Sequence, residues 1–124
     1  MFKLISNLLS LNVALGNKLR SNTAFDEGLA FNDAGEFKKA FPLMLEAAEL
    51  GHEQAMCLLG TMYLMGQGIA ENGHEALRWL EQSRALGYEG AISVLGMAYA
   101  TGKAGIKIDL EKGREMLAYA AEQG

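Results

Sequence analysis

The sequence contains very few proline, cysteine and β-branched residues. One proline and one cysteine occur among its 124 residues, and valine, isoleucine and threonine are too few to supply many strands. Because Cys57 is the only cysteine, the chain can form no intramolecular disulfide, and we expect no cysteine-based zinc site. We expect Cys57 to be a buried small apolar residue, and the protein to be cytoplasmic rather than periplasmic or secreted. Abundant alanine, leucine and methionine favour helices instead.

Positive charge and catalytic motifs are also sparse. The chain has 11 basic and 15 acidic residues, and its lysines and arginines form no basic stripe, so we expect no nucleic-acid partner. His52 and His74 lack metal-motif spacing, and Gly66-x-Gly68 follows a predicted helix rather than a strand, unlike a phosphate-binding loop. No serine lies in a Gly-x-Ser-x-Gly motif, and Cys57 has no obvious histidine partner. We therefore expect no cofactor, no metal and no enzymatic activity.

The sequence does contain an internal repeat, which is the strongest signal in it. The pattern Ala-x-x-x-Leu-Gly-x-x-Tyr-x-x-Gly occupies residues 55–66 and returns at 91–102, an offset of 36 residues. A second pattern has apolar or small residues at +3, +4 and +7 and a glycine at +11, and it begins at Ala40, Ala76 and Gly113. Spacings of three and four mark one face of a helix, and the closing glycine suits its carboxyl end.

These patterns predict helix pairs, A followed by B, that bury their apolar faces only by stacking on neighbouring pairs. The predicted fold is an all-α solenoid of about three helix–turn–helix repeats with an N-terminal helix. We expect Gly28, Gly60 and Gly96 to let the paired helices approach closely. Pro42 lies within a predicted B helix, which must kink there or begin later. The predicted helices are 3–19, 23–34, 36–50, 53–65, 74–86, 90–101 and 109–123.

The amino-terminal segment is rich in leucine at helical spacing. Polar residues interrupt the apolar run that a signal peptide needs, so we expect an uncleaved helix, too short and too polar to span a bilayer. The predicted domains are a capping helix at 1–22 and a repeat domain at 23–124, with repeats at about 23–52, 53–88 and 89–124. Self-association or partner docking is the alternative to capping for the first helix. Its leucines include Leu4, Leu8, Leu11 and Leu15.

These motifs resemble those of the Sel-one-like repeat family, tetratricopeptide-related solenoids with lengthened A–B loops. Residues 55–124 carry two full copies, and residues 24–52 resemble the plainer tetratricopeptide spacing. Repeat one departs from the pattern at Glu27, where leucine is expected. Repeat two departs at Leu80 and Ser83, where tyrosine and alanine are preferred. The resemblance implies a bacterial or eukaryotic adaptor with no catalytic residues to carry over.

A tetratricopeptide-like arrangement implies that the A helices line a concave groove, which suits an amphipathic helix or an extended peptide. Its inward positions are −6, −3, +1 and +4 from the repeat glycine. They predict a partner-binding groove formed by Asn22, Phe25, Leu29, Asn32, Gln54, Cys57, Thr61, Leu64, Gly90, Ser93, Met97 and Ala100.

The last helix carries a second candidate interface. Tyr119 stands where Glu46 and Gln82 stand in the earlier repeats, although the outer face of a terminal repeat is expected to be polar. We expect Tyr119 and Met116 to be partly exposed or to contact a second chain.

Three functions are consistent with the sequence. The leading one is a non-catalytic module, an adaptor, regulator or inhibitor, that binds a protein or peptide and has no membrane partner; a toxin-neutralising immunity protein is one such case. The second is a hydrolase of cell-wall or β-lactam type, which would need a nucleophile paired with a base. The third is a structural homodimer formed through Tyr119 or the amino-terminal helix.

Overall fold

The computed structural model describes residues 1–124 and contains six α-helices, one short 3-10 turn and no strand. The all-α expectation is confirmed, and the predicted bounds from the second observed helix onward agree to within one residue. The elements are α1 Phe2–Asp33, α2 Phe37–Glu49, α3 Glu53–Met65, α4 Gly73–Ala85, α5 Gly90–Thr101, the 3-10 turn Lys103–Gly105 and α6 Leu110–Gln123.

The helices pair in chain order. Helix α1 packs on α2, α3 on α4 and α5 on α6, which gives three antiparallel A–B hairpins. The hairpins stack because each B helix also packs on the next A helix, and α3 contacts α5 directly. The solenoid expected from the repeat is therefore present.

Glycine sets the distance between the helices of a hairpin. A Cβ atom on Gly60 would lie 2.6 Å from Cγ of Leu80, and one on Gly96 would lie 2.8 Å from Cγ of Leu117. These separations are shorter than carbon atoms tolerate, so any larger residue would push the helices apart. The expected role of these repeat glycines is confirmed.

The two long A–B loops have the same construction. Gly66 and Gly102 end their helices in the left-handed conformation, each with a φ of 69°. In each loop, a backbone N–H donates a hydrogen bond to the carbonyl of the repeat tyrosine. Asn72 donates to Tyr63 at 3.0 Å, and Asp109 donates to Tyr99 at 2.9 Å. The side chains of Asn72 and Asp109 also accept the cap hydrogen bonds of α4 and α6.

Each long loop packs on the repeat before it. Gly68 lies against the backbone of Phe37, so closely that a Cβ would collide with it. Ile106 is buried beside Leu64 and Ala76 of repeat two, and Ala104 lies against Gly73. The loops therefore extend the contacts between neighbouring repeats.

The apolar core lies between repeats. Its largest cluster combines Met44 of repeat one with Leu59, Met62 and Trp79 of repeat two. Two smaller clusters join repeats two and three. The apolar side chains that one hairpin cannot bury alone are buried against its neighbour.

The prediction of two separate helices at 3–19 and 23–34 is wrong, because α1 is continuous from Phe2 to Asp33. Two hydroxyls at the predicted boundary bond back into the helix: Ser21 Oγ donates to the Lys18 carbonyl at 2.9 Å and Thr23 Oγ1 to the Leu19 carbonyl at 3.0 Å. Residues 1–20 are exposed, and Arg20 pairs with Glu46 of α2 at 3.2 Å.

Pro42 does not delay the start of its helix, since α2 begins at Phe37. The proline removes the hydrogen bond that the Lys38 carbonyl would otherwise accept. Both residues are exposed, so water can satisfy that carbonyl.

Candidate protein-binding surface

Most of the predicted groove residues on the A helices are accessible. Met97 is 55% exposed, so it offers an apolar side chain to a partner. Thr61 is half-buried, and its hydroxyl donates to the Cys57 carbonyl at 2.9 Å. The accessible predicted residues, called the A-helix face below, are Asn22, Phe25, Leu29, Asn32, Gln54, Thr61, Gly90, Ser93, Met97 and Ala100.

Two of the predicted groove positions are wrong, because Cys57 and Leu64 are buried. Helix α5 packs over both positions: Cys57 clusters with Ala91 and Leu95, and Leu64 clusters with Ala98. Burial raises the pKa of the Cys57 thiol to about 11, so the residue is a protonated thiol at neutral pH. Neither side chain can meet a partner.

The structure brings the first part of the A-helix face together around His52. The ring of Phe25 stacks on the imidazole with 4.2 Å between centroids, while His52 Nδ1 accepts the Ala55 N–H at the start of α3. Asn22 and Gln54 lie on opposite sides of an open cleft of about 520 Å³ between α1 and α3. A partner lying across α1 and α3 would contact amides and an aromatic edge there.

A second depression lies between repeats two and three, on the side of the B helices. It has a volume of about 460 Å³ and is called the inter-repeat pocket below. Sequence reasoning identified two of its residues, Met116 and Tyr119, and missed the rest, which come from α4, the α4–α5 turn, α5 and α6. Its lining consists of Arg84, Gly87, Tyr88, Glu89, Ile92, Glu115, Met116 and Tyr119.

The expected partial exposure of the terminal residues is confirmed. Tyr119 is 45% exposed and Met116 is half-buried. Tyr119 also borders a smaller cleft with Ser93, so it separates the inter-repeat pocket from the end of the A-helix face. Contact of Tyr119 and Met116 with a second chain stays a prediction.

The first 19 residues of α1 form a third surface. Nine large apolar side chains between residues 2 and 19 are 48–89% exposed, far more apolar area than a helix normally leaves in water. We call this the leucine-rich face; it comprises Phe2, Leu4, Ile5, Leu8, Leu9, Leu11, Val13, Leu15 and Leu19. No helix of the chain has the length and apolarity needed to cross a membrane.

These surfaces carry no metal-binding cluster. The structure contains no group of three histidine, cysteine, aspartate or glutamate side chains close enough to hold a metal ion. The Tyr63 phenol has a raised pKa because of its burial and, to a smaller extent, the negative charge of Glu75, which is the opposite of an activated nucleophile.

Comparison with known proteins gives matches over most of the chain. A Sel1 repeat family model matches residues 35–52, 53–88 and 91–124. An F-box protein of Arabidopsis thaliana is 38% identical over 81 residues, which are 64% of this chain and 22% of the relative. The chain thus spans about a fifth of that protein.

Two solved structures share the fold. A Sel1 repeat protein from Oxalobacter formigenes superposes with a TM-score of 0.71 at 27% identity, over 84% of this chain and 44% of that one. A protective antigen of uropathogenic Escherichia coli with an SLR fold gives 0.72 at 26% identity, over 84% of this chain and 23% of that one. Sel1 repeat proteins are generally protein–protein interaction modules. With three repeats matched in sequence and a shared fold, this chain belongs to the Sel1 repeat family.

Proposed function

We propose that the chain is a non-catalytic adaptor or regulator that binds a protein or peptide along its A-helix face. The observation that carries this proposal is that Met97 and its accessible neighbours stay uncovered although α5 packs on α3. A solenoid offers an extended surface of this kind to an elongated ligand.

The composition of the A-helix face supports a peptide ligand. Apolar contacts are available from Phe25, Leu29 and Met97, while Asn22 and Gln54 offer amide donors and acceptors. Amides beside apolar side chains can bind both the backbone and the apolar side chains of an extended or helical segment. A toxin-neutralising immunity protein is one form of such a module.

Capture of partners from the native cell, quantified by mass spectrometry, tests the proposal. We expect Met97→Glu to release a partner that the unchanged protein retains, because the substitution puts a charge in the apolar part of the face. Leu110→Glu is the matched control: Leu110 is similarly exposed but lies at the start of the B helix α6. Equal retention by both variants would contradict the proposal.

A second candidate function, self-association, is favoured by the leucine-rich face. Leu4, Leu8, Leu11 and Leu15 follow spacings of four, three and four residues, which is the a/d pattern of a two-helix seam. The segment from Phe2 to Leu19 is about 27 Å long at 1.5 Å per residue. A second copy would cover apolar area that this chain leaves in water.

Sedimentation velocity at several protein concentrations tests self-association. We expect a concentration-dependent dimer that is lost in the Leu8→Lys/Leu11→Lys variant. The control is Ser6→Lys/Ser10→Lys, which adds the same charge to the same segment but away from the seam of Leu4, Leu8, Leu11 and Leu15, and should leave the dimer intact. A monomer at all concentrations would rule out this second function.

A hydrolase of cell-wall or β-lactam type gains no support from the described side chains. The only thiol is buried and protonated at neutral pH. Activity against cell-wall and β-lactam substrates can be assayed directly with the purified protein.

A further inference from the structure

We infer that the inter-repeat pocket is an anchor site for one aromatic side chain of the partner, flanked in the partner sequence by a lysine or arginine. The inference rests on the proposed function, since it names a feature of the protein or peptide that would bind. It arises from a comparison of two equivalent places in the same chain.

The equivalent position between repeats one and two is already filled by an aromatic ring. Trp79 stands 37 residues before Met116, at the same step of its B helix. Trp79 is only 5% exposed and belongs to the core cluster that contains Ala48 and Met56. Their equivalents 36 residues later, Arg84 and Ile92, line the inter-repeat pocket.

The pocket therefore exists because a thioether replaces an indole. Methionine is narrower than tryptophan, so the groove between α4, α5 and α6 is left open over Met116. Tyr88, Ile92 and Tyr119 complete an apolar lining of the kind that holds an aromatic anchor at protein interfaces. The first two repeats thus show which kind of side chain this groove accepts.

The charges around the pocket indicate what accompanies the ring. Beside Trp79, the guanidinium of Arg78 lies 4.4 Å from the ring centroid. The equivalent of Arg78 at the pocket is Glu115, so the cation that accompanies the ring in repeat two is replaced by a carboxylate.

No ion pair in the chain neutralises the acidic rim. Glu89 and Glu115 take part in none of the salt bridges, whereas Arg84 is already paired with Glu81 at 2.8 Å. A positive group next to the incoming ring would be attracted by both carboxylates, and it could also lie over the ring of Tyr88 or Tyr119.

Tryptamine, an indole with an ammonium group, is the probe. Titration of the ¹⁵N-labelled protein, followed by two-dimensional amide NMR, should shift the amides of residues 84–92 and 115–119 with a millimolar dissociation constant. Indole-3-acetate presents the same ring with a negative charge and should bind about three- to tenfold more weakly.

Two substitutions make the test specific. Met116→Trp should fill the pocket as Trp79 fills its own groove, abolishing the shifts while leaving the thermal midpoint unchanged or higher. Met97→Trp, a control that adds the same side chain on the A-helix face, should leave tryptamine binding unchanged. Glu115→Arg should reverse the preference, so that indole-3-acetate binds more tightly than tryptamine.

The outcomes separate this inference from the proposed function. If tryptamine at 20 times its expected millimolar dissociation constant shifts no pocket amides, or if Met116→Trp binds it unchanged, the anchor site is overturned. The proposed function is unaffected by either result, because partner capture through Met97 is measured independently. Tryptamine binding with equal affinity for indole-3-acetate would overturn the requirement for a flanking cation. Shifts that Met116→Trp abolishes, and whose charge preference Glu115→Arg reverses, establish the site.

Discussion

Gly60 and Leu80 are in contact across the second helical hairpin, where a Cβ on the glycine would lie 2.6 Å from the leucine Cγ. Gly60→Ala should lower the free energy of unfolding by about 1–3 kcal/mol, because the helices must separate to admit the methyl group. Urea unfolding followed by circular dichroism measures the change.

Gly16→Ala is the control for Gly60→Ala. Gly16 also lies within a helix, but a Cβ there would meet nothing within 4 Å. We expect unchanged or higher stability for this variant, because alanine is the better helix former. If the two substitutions had the same effect, close packing at Gly60 would not be the reason that glycine is present.

Ser83 links the second B helix to the start of α3. Its hydroxyl is buried and donates to the Glu53 carbonyl at 2.7 Å. Repeats one and three have alanine at this position, Ala47 and Ala120, so Ser83→Ala should fit without strain. We expect a loss of about 0.5–1.5 kcal/mol from the missing hydrogen bond.

The matched control is Ser93→Ala, since Ser93 is exposed and bonds only to a carbonyl within its own helix. Thermal unfolding of both variants checks the prediction. A larger loss for Ser93→Ala than for Ser83→Ala would show that the buried link contributes little.

The buried thiol predicts a loss of stability at alkaline pH. The pKa of Cys57 is raised from 9.0 to about 11 by burial, so above pH 9 the thiol ionises in the unfolded chain while it stays protonated in the folded one. The folded state therefore loses stability as the pH rises from 9.0 to about 11.

Cys57→Ala isolates this effect. Between pH 8 and pH 10.5, the free energy of unfolding should fall by about 1–2 kcal/mol more in the unchanged protein than in the variant. Tyr63 also has a raised pKa, but it is present in both proteins and cancels in the comparison. Parallel pH profiles would mean that the thiol is not desolvated.

Asp109 caps the last helix by accepting the Lys112 N–H at 3.1 Å. Asp109→Ala should cost about 1 kcal/mol, while Asp109→Asn should keep most of the stability because Asn72 makes the same bond to Glu75 in repeat two. Urea unfolding of the three proteins checks this order. An equal loss in both variants would indicate that the carboxylate charge, rather than the cap hydrogen bond, matters.

The fold was predictable because the repeat is defined by short sequence spacings between glycine and apolar residues. Glycine, the residue preceding it and the tyrosine three positions later specify the A helix, and Gly66 and Gly102 end it by adopting a conformation that other residues resist. The continuity of α1 through Ser21 was not predictable in this way, since a serine hydroxyl can either cap a new helix or bond back into a continuing one. Only the surrounding backbone decides between them.

The binding surfaces were predictable only in part. Helical spacing places Cys57 and Leu64 on the same side as Met97, but it does not show that α5 lies over the first two. The inter-repeat pocket results from a difference between repeats, Trp79 against Met116. Comparison of equivalent positions along the sequence could have located it, but the acidic rim also requires that Glu89 of the α4–α5 turn lie beside the pocket with Glu115 of α6.

Each long loop packs on the preceding repeat, so that repeat depends on residues that follow it in the chain. Ile106 completes the core around Leu64 and Ala76, so part of the interior of repeat two is supplied by residues that follow α5. The packed core of repeat two therefore extends into the loop of the next sequence repeat. Removal of repeat three would uncover the interior of repeat two as well as removing its own helices.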